Sequence, residues 1–103
     1  MSQYYISPVI NSNTDFDNDG WTGFNYFPVD CSVGSITITL PTNVWDGLGF
    51  YFNRTDNNAL NFLTIECHTG TIQGGASLVV GGKTVIEAVF NNGDWIAPKF
   101  QYN

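Results

Sequence analysis

Asp15, Asp17 and Asp19 stand two residues apart, and Gly20 follows them in the run DFDNDG. Alternate carboxylates closed by a glycine open a calcium loop, because every second side chain can turn toward one ion while the glycine permits the sharp bend. A complete helix-flanked loop also needs a bidentate carboxylate at its twelfth position. Counted from Asp15, that position is Tyr26 and the ninth is Gly23. The helix-flanked reading fails, and the stretch is read as a solvated acidic turn, since Asn-Asp and Asp-Gly pairs tolerate positive φ. A looser calcium site on a β loop, completed by Asp30 or by backbone carbonyls, is the alternative. The reading expects no metal ligands and no cofactor.

The other reactive residues form no catalytic pattern. The one histidine, His68, follows Cys67 directly. Neighbours in a strand point to opposite faces, so this pair cannot meet as a nucleophile and its base. A closed zinc site needs four ligands, which one histidine and two cysteines do not supply. No Gly-x-Ser-x-Gly elbow occurs. Glu66, Glu87 and several aspartates leave a glycosidase-like carboxylate pair formally open, but nothing in the spacing singles one out. A protein without enzymatic activity is expected. Trp21, Trp45 and Trp95 all fall at turns or strand starts, where an indole either stacks on a ligand or plugs the end of a core. Trp45, in the TNVWDG loop, is the candidate for an exposed ligand or receptor contact.

These residues must be positioned by strands. No segment repeats apolar residues at helical spacing, and eleven glycines, four prolines and many asparagines divide the chain into short pieces. SITITL alternates Ile36, Ile38 and Leu40 with Thr37 and Thr39, and Pro41 stops it. GLGFYFN, LNFLTIEC, a short strand at Ile72, ASLVV, KTVIEAVF and WIAPKF follow, separated by DNNA, HTGT and NNGD turns. YYISPVI and WTGFNYFPVDC precede them. Eight or nine short strands in one domain, residues 1–103, predict an all-β fold, a small antiparallel β-sandwich with jelly-roll-like packing. Pro28 and Pro98 place their strands at edges or end them early. Apart from an echo between NDGW at 18–21 and NGDW at 92–95, the reading finds no internal repeat.

Composition narrows the partners. Charged residues make up 12% of the chain and aromatic residues 16%, which excludes a disordered segment. The net charge is −6, with Arg54, Lys83 and Lys99 the only cations, so nothing can neutralise a row of phosphates and nucleic acid is not an expected partner. No apolar run approaches the roughly 20 residues of a membrane span, and no membrane insertion is expected. MSQYYISPVI lacks the basic start and apolar core of a signal peptide, which for a complete chain predicts synthesis in the cytoplasm. Cys31 and Cys67 are expected as reduced, buried thiols. NRT at Asn53 matches a glycosylation sequon of low specificity.

Several strands are apolar on both faces. TVIEAVF carries Ile86, Ala88 and Phe90 on one side and Val85 and Val89 around Glu87 on the other. One core needs only one face of each strand. A second apolar face without helices to cover it points to another subunit.

The run from Phe27 to about Asp94-Trp95 resembles the terminal domains of viral fibres, in phage tail fibres and in the fibre or spike proteins of larger viruses. The shared features are Asp30 before a strand ending in ITLP, the Gly-led strand GLGFYF, the NFLTI strand, the TIQGG turn, and the NGDW turn before the closing strand. The resemblance implies a trimeric β head domain of a virion component, made in the host cytoplasm and attaching to a host-surface receptor or glycan. Val85, Glu87 and Val89 would then line the homotrimer interface, and residues 1–10 would lie next to a stalk. The alternatives are a monomeric carbohydrate-binding module or lectin and, last, a small hydrolase.

Overall fold

The computed structural model describes residues 3–18 and 23–101. Ten strands form, and no helix occurs among the described residues: β1 (Thr14–Asp15), β2 (Tyr26–Val29), β3 (Ile36–Leu40), β4 (Gly49–Arg54), β5 (Leu63–Cys67), β6 (Thr71–Ile72), β7 (Ser77–Val80), β8 (Thr84–Asn91), β9 (Asp94–Ile96) and β10 (Lys99–Gln101). They build a four-stranded sheet ordered β1-β3-β5-β7 and a six-stranded sheet ordered β2-β4-β8-β9-β6, with β10 also on β8. The all-β expectation holds. The antiparallel, jelly-roll-like arrangement is corrected. From β1 to β5 the chain steps alternately between the two sheets, so that β1, β3 and β5 run parallel to one another, as do β2 and β4. Only from β7 onward does antiparallel pairing dominate, with β7 on β5, and β4, β9 and β10 on β8.

The first half is therefore a coil with a sequence period. Thr14 pairs with Ile38, Tyr26 with Tyr51 and Ile36 with Leu63, offsets of 24, 25 and 27 residues. The period places like side chains side by side: Tyr26 on Tyr51, Phe27 on Phe52, Thr37 on Thr64 and Ile38 on Ile65. The expectation of no internal repeat is corrected accordingly. Residues 3–10 extend the coil along the outer edge of β2, through parallel bridges from Ile6 to Tyr26 and from Ile10 to Val29. This covers an edge strand that would otherwise offer free backbone groups. Pro28 lies in β2, outermost of the named strands of its sheet, and Pro98 separates β9 from β10.

Alternation sorts the side chains as read. Ile36, Ile38 and Leu40 are buried and Thr37 and Thr39 face outward; Phe50 and Phe52 are buried; Ile86, Ala88 and Phe90 are buried while Glu87 is exposed. Between the sheets Phe16, Phe27, Phe50 and Phe52 form an aromatic cluster, with ring centroids 5.0 Å apart for Phe16–Phe27 and 5.5 Å for Phe27–Phe52. Trp95, fully buried, closes it against Phe50 and Phe90. Its indole N–H has no acceptor among the described residues. Asn92 and Gly93 both adopt positive φ between β8 and β9, the hairpin geometry an Asn-Gly pair favours. Cys31 is buried and Cys67 half-buried, both as free thiols.

One charge enters the core. Arg54 continues the inward row of Phe50 and Phe52 and is fully buried. Its Nε and Nη2 donate to the two carboxylate oxygens of Asp56 at 3.0 Å each, Nη1 donates to the Val80 carbonyl at 3.1 Å, and Nη2 donates to the Asn58 carbonyl at 2.9 Å. Asp56 also accepts from the Cys31 and Asn58 amides. One guanidinium thus ties the end of β4 to the end of β7 in the opposite sheet and shapes the 55–62 connection. Its hydrogen bonds hold the Asp56 carboxyl down at about 2. The folded value lies below the unfolded one, so the stabilisation is full above pH 4 and is lost as the pH falls toward 2. Arg54→Ala should cost about 3–5 kcal/mol in urea unfolding at pH 7, because it leaves Asp56 without its partner. Asp56→Asn should lower stability at neutral pH and flatten its decline between pH 4 and 2. An unchanged midpoint for Arg54→Ala, or an acid decline identical in Asp56→Asn, would contradict this assignment.

Candidate functional site

Parallel strands send the same end of every strand to the same edge of a sheet. At the carboxyl end of the four-stranded sheet, the residues that leave β1, β3 and β5 therefore meet, although they are far apart in sequence. Asp15 closes β1, and Asp17 follows in the turn; Thr42 lies just beyond β3; His68 lies just beyond β5. His68 Nε2 faces both Asp15 carboxylate oxygens at 3.0 Å and Asp17 Oδ2 at 3.5 Å. The three side chains are about one-third exposed.

The backbone fixes this arrangement. The Asp17 amide donates to Asp15 Oδ1 at 2.9 Å, which is the Asx turn expected of an acidic loop. The Thr42 amide donates to Asp17 Oδ1 at 2.9 Å and the Thr42 hydroxyl to Asp17 Oδ2 at 2.5 Å. These two bonds hold the Asp17 carboxyl below the usual carboxylate range. The His68 amide donates to the Leu40 carbonyl, and the Thr69 hydroxyl to the Thr42 carbonyl. Gly70 then bends the chain at φ +79°; a Cβ there would collide with the Gly93 carbonyl oxygen. A polar cleft lined by Asn13, Thr14, Thr37 and Thr39 adjoins Asp15.

The arrangement answers the question of the acidic run only in part. Asp19, Gly20 and Trp21 fall outside the described residues. Asp30, the suggested completing ligand, stays out of the group and accepts from the Ser32 amide. Cys67 and His68 diverge as expected, the thiol donating to the Gly70 carbonyl at 3.4 Å. Glu66 lies on the outer face of the four-stranded sheet and Glu87 on the outer face of the six-stranded sheet, so the two cannot flank one bond. Sequence reading missed the meeting of His68 with Asp15 and Asp17 because it assumed antiparallel neighbours. The signal that finds it is the coil period, which sets Leu40 beside Cys67 and Thr39 beside Asp15.

A second feature is the outer face of the six-stranded sheet. Tyr26 stacks on Tyr51 at 5.3 Å, and Tyr4 packs against both at 5.2 and 5.5 Å. Across β8 the register sets Phe100 beside Val85 and Ile96 beside Val89. Phe100 is 63% and Ile96 45% exposed. Val85 and Val89 are half-buried, and Glu87 lies exposed between them beside Tyr51. Burial pushes the Tyr51 phenol up, with further rises from Tyr4 and Glu87. Trp45 is 62% exposed, as its loop position suggested.

No family model, no curated protein and no solved structure matches the chain.

The two described tryptophans have opposite expected costs. Trp95→Ala should destabilise by about 3–5 kcal/mol, because it opens a cavity between Phe50 and Phe90. Trp45→Ala should stay within about 0.5 kcal/mol. Urea unfolding followed by circular dichroism measures both, and comparable losses would contradict the placement of Trp45.

Proposed function

We propose that the chain is a non-enzymatic virion structural module, the head domain of a viral fibre or spike, which assembles as a homotrimer and attaches to a host-surface receptor or glycan. The observation that carries the reading is the outer face of the six-stranded sheet, where the apolar pairs Val85–Phe100 and Val89–Ile96 flank Glu87 and the Tyr26–Tyr51 stack adjoins it. Monomeric proteins seldom leave so broad a face to water. In the trimer, Val85 and Val89 of each chain pack on a neighbour, each contributing about 1.5 kcal/mol or more when fully covered, and threefold symmetry repeats the gain. Glu87 faces the same contact. Arg54 is spent on Asp56 and Lys99 reaches the Val79 carbonyl, so neither is positioned to neutralise it. Trp45, exposed in the 41–48 loop, contacts the receptor.

A second reading keeps the face but changes its occupant. Gln3, Tyr4, Asn25, Tyr51, Glu87 and Val89 line one shallow cleft. Aromatic rings beside amides and a carboxylate suit a sugar ring, and this favours a monomeric carbohydrate-binding module. Light scattering at micromolar concentration separates the readings. The fibre-head reading expects three times the 11.4 kDa of the chain, and Val89→Lys should release monomers or abolish folding. Glu87→Gln, which removes like charges from the contact, should tighten the assembly. An 11.4 kDa monomer that scores on a glycan array would overturn the fibre head in favour of the module.

A further inference from the structure

We propose that Asp15, Asp17 and His68 bind one divalent transition-metal ion of the zinc, cobalt and nickel group at the carboxyl end of the four-stranded sheet. One imidazole nitrogen and one oxygen from each carboxylate all lie within 4.8 Å of one another. In a tetrahedral site with bonds of about 2.0–2.2 Å, neighbouring donor atoms stand about 3.3–3.6 Å apart. His68 Nε2 already stands 3.0 Å from Asp15 and 3.5 Å from Asp17. The ion takes the place that the His68–Asp15 hydrogen bond now spans, and the two imidazole-to-carboxylate spacings need change by only a few tenths of an ångström.

The donor set chooses the metal. Calcium takes six to eight oxygen ligands and no imidazole, whereas one donor of this group is a ring nitrogen. An imidazole with two carboxylates suits zinc, cobalt or nickel, with water completing the shell. The adjoining polar cleft of Asn13, Thr37 and Thr39 admits that water. The site is also braced. Thr42 holds Asp17 through its amide and hydroxyl, the role that outer hydrogen bonds play for metal-binding carboxylates. The turn after β5 is tied back to β3 and its exit by the bonds of His68 to Leu40 and of Thr69 to Thr42. The donors thus come from two parallel strand ends, 53 residues apart, with β3 between them. A bound ion clamps β1 to β5 across β3 and locks the first turns of the coil together.

Isothermal titration of the untagged, EDTA-dialysed chain with zinc chloride, and visible absorption with cobalt chloride, test the site. One ion per chain is expected, with a cobalt d–d spectrum and a melting temperature that keeps rising with zinc concentration beyond saturation. Calcium chloride at the same concentration should leave the melting temperature unchanged. His68→Ala and Asp17→Asn, both at exposed side chains, should each weaken zinc binding at least about tenfold and abolish the cobalt spectrum while circular dichroism stays unchanged. Cys67→Ser should bind as the parent does. Absence of saturable binding, equal affinity in His68→Ala, calcium binding as tight as zinc, or loss of binding in Cys67→Ser would each overturn the proposal, leaving the cluster as a hydrogen-bonded His–Asp pair.

Discussion

A chain that winds alternately through two facing sheets must run every strand of a sheet in the same direction, and here that constraint governs β1 to β5. In-register parallel pairing brings each residue beside the one about 25 positions later, on the same face. Phe27 and Phe52 thus stack in the core while Tyr26 and Tyr51 stack outside it, a segregation that a slip of one residue would invert. Thr37 and Thr64 form the matching outward row and Ile38 and Ile65 the matching inward row of the other sheet. The packing of the core, the apolar outer face and the meeting of Asp15, Asp17 and His68 at one end all follow from the same register.

A parallel coil leaves two problems that the second half solves. Its open flank needs partners, and the antiparallel strands β7 and β8 supply them, one to each sheet. The sheets must also be held together where β4 leaves the core for the 55–62 connection. A buried cation is costly unless its bonds are satisfied, and Arg54 is satisfied by Asp56, Asn58 and Val80. The pair fixes the geometry of the crossing more than it adds to stability, because an apolar replacement of the whole group could stabilise the fold as well but would not orient the connection.

Much of this was legible in the sequence, at the level where local alternation rules. SITITL, GLGFYFN and TVIEAVF gave their strands and faces, and NNGD gave its hairpin, because period-two patterning and Asn-Gly turn chemistry act over a few residues. The direction of pairing was not legible from those patterns, since a strand reads the same in a parallel or an antiparallel sheet. The information lay in the repeated pairs Tyr-Phe at 26–27 and 51–52 and Thr-Ile at 37–38 and 64–65, too short to register as a repeat beside denser turn signals. Without the direction, His68 could not be set beside Asp15. Leu60 and Phe62, read as part of a strand, precede β5 and are largely exposed, because the Arg54–Asp56 connection delays the strand until Leu63.

The parallel coil also links the two surfaces of functional interest, since it stacks the tyrosines on one outer face and gathers the polar donors at one end of the other sheet. Cross-strand nuclear Overhauser contacts in labelled protein test that coil most directly. Amide-to-Hα contacts are expected to link Ile38 with Ile65 and Phe27 with Phe52, with no close Hα–Hα pairs between β3 and β5 or between β2 and β4, since parallel strands keep those protons apart. Strong Hα–Hα contacts between β3 and β5 would mean an antiparallel sandwich, and the coil, its repeat and the convergence of Asp15, Asp17 and His68 would fall with it.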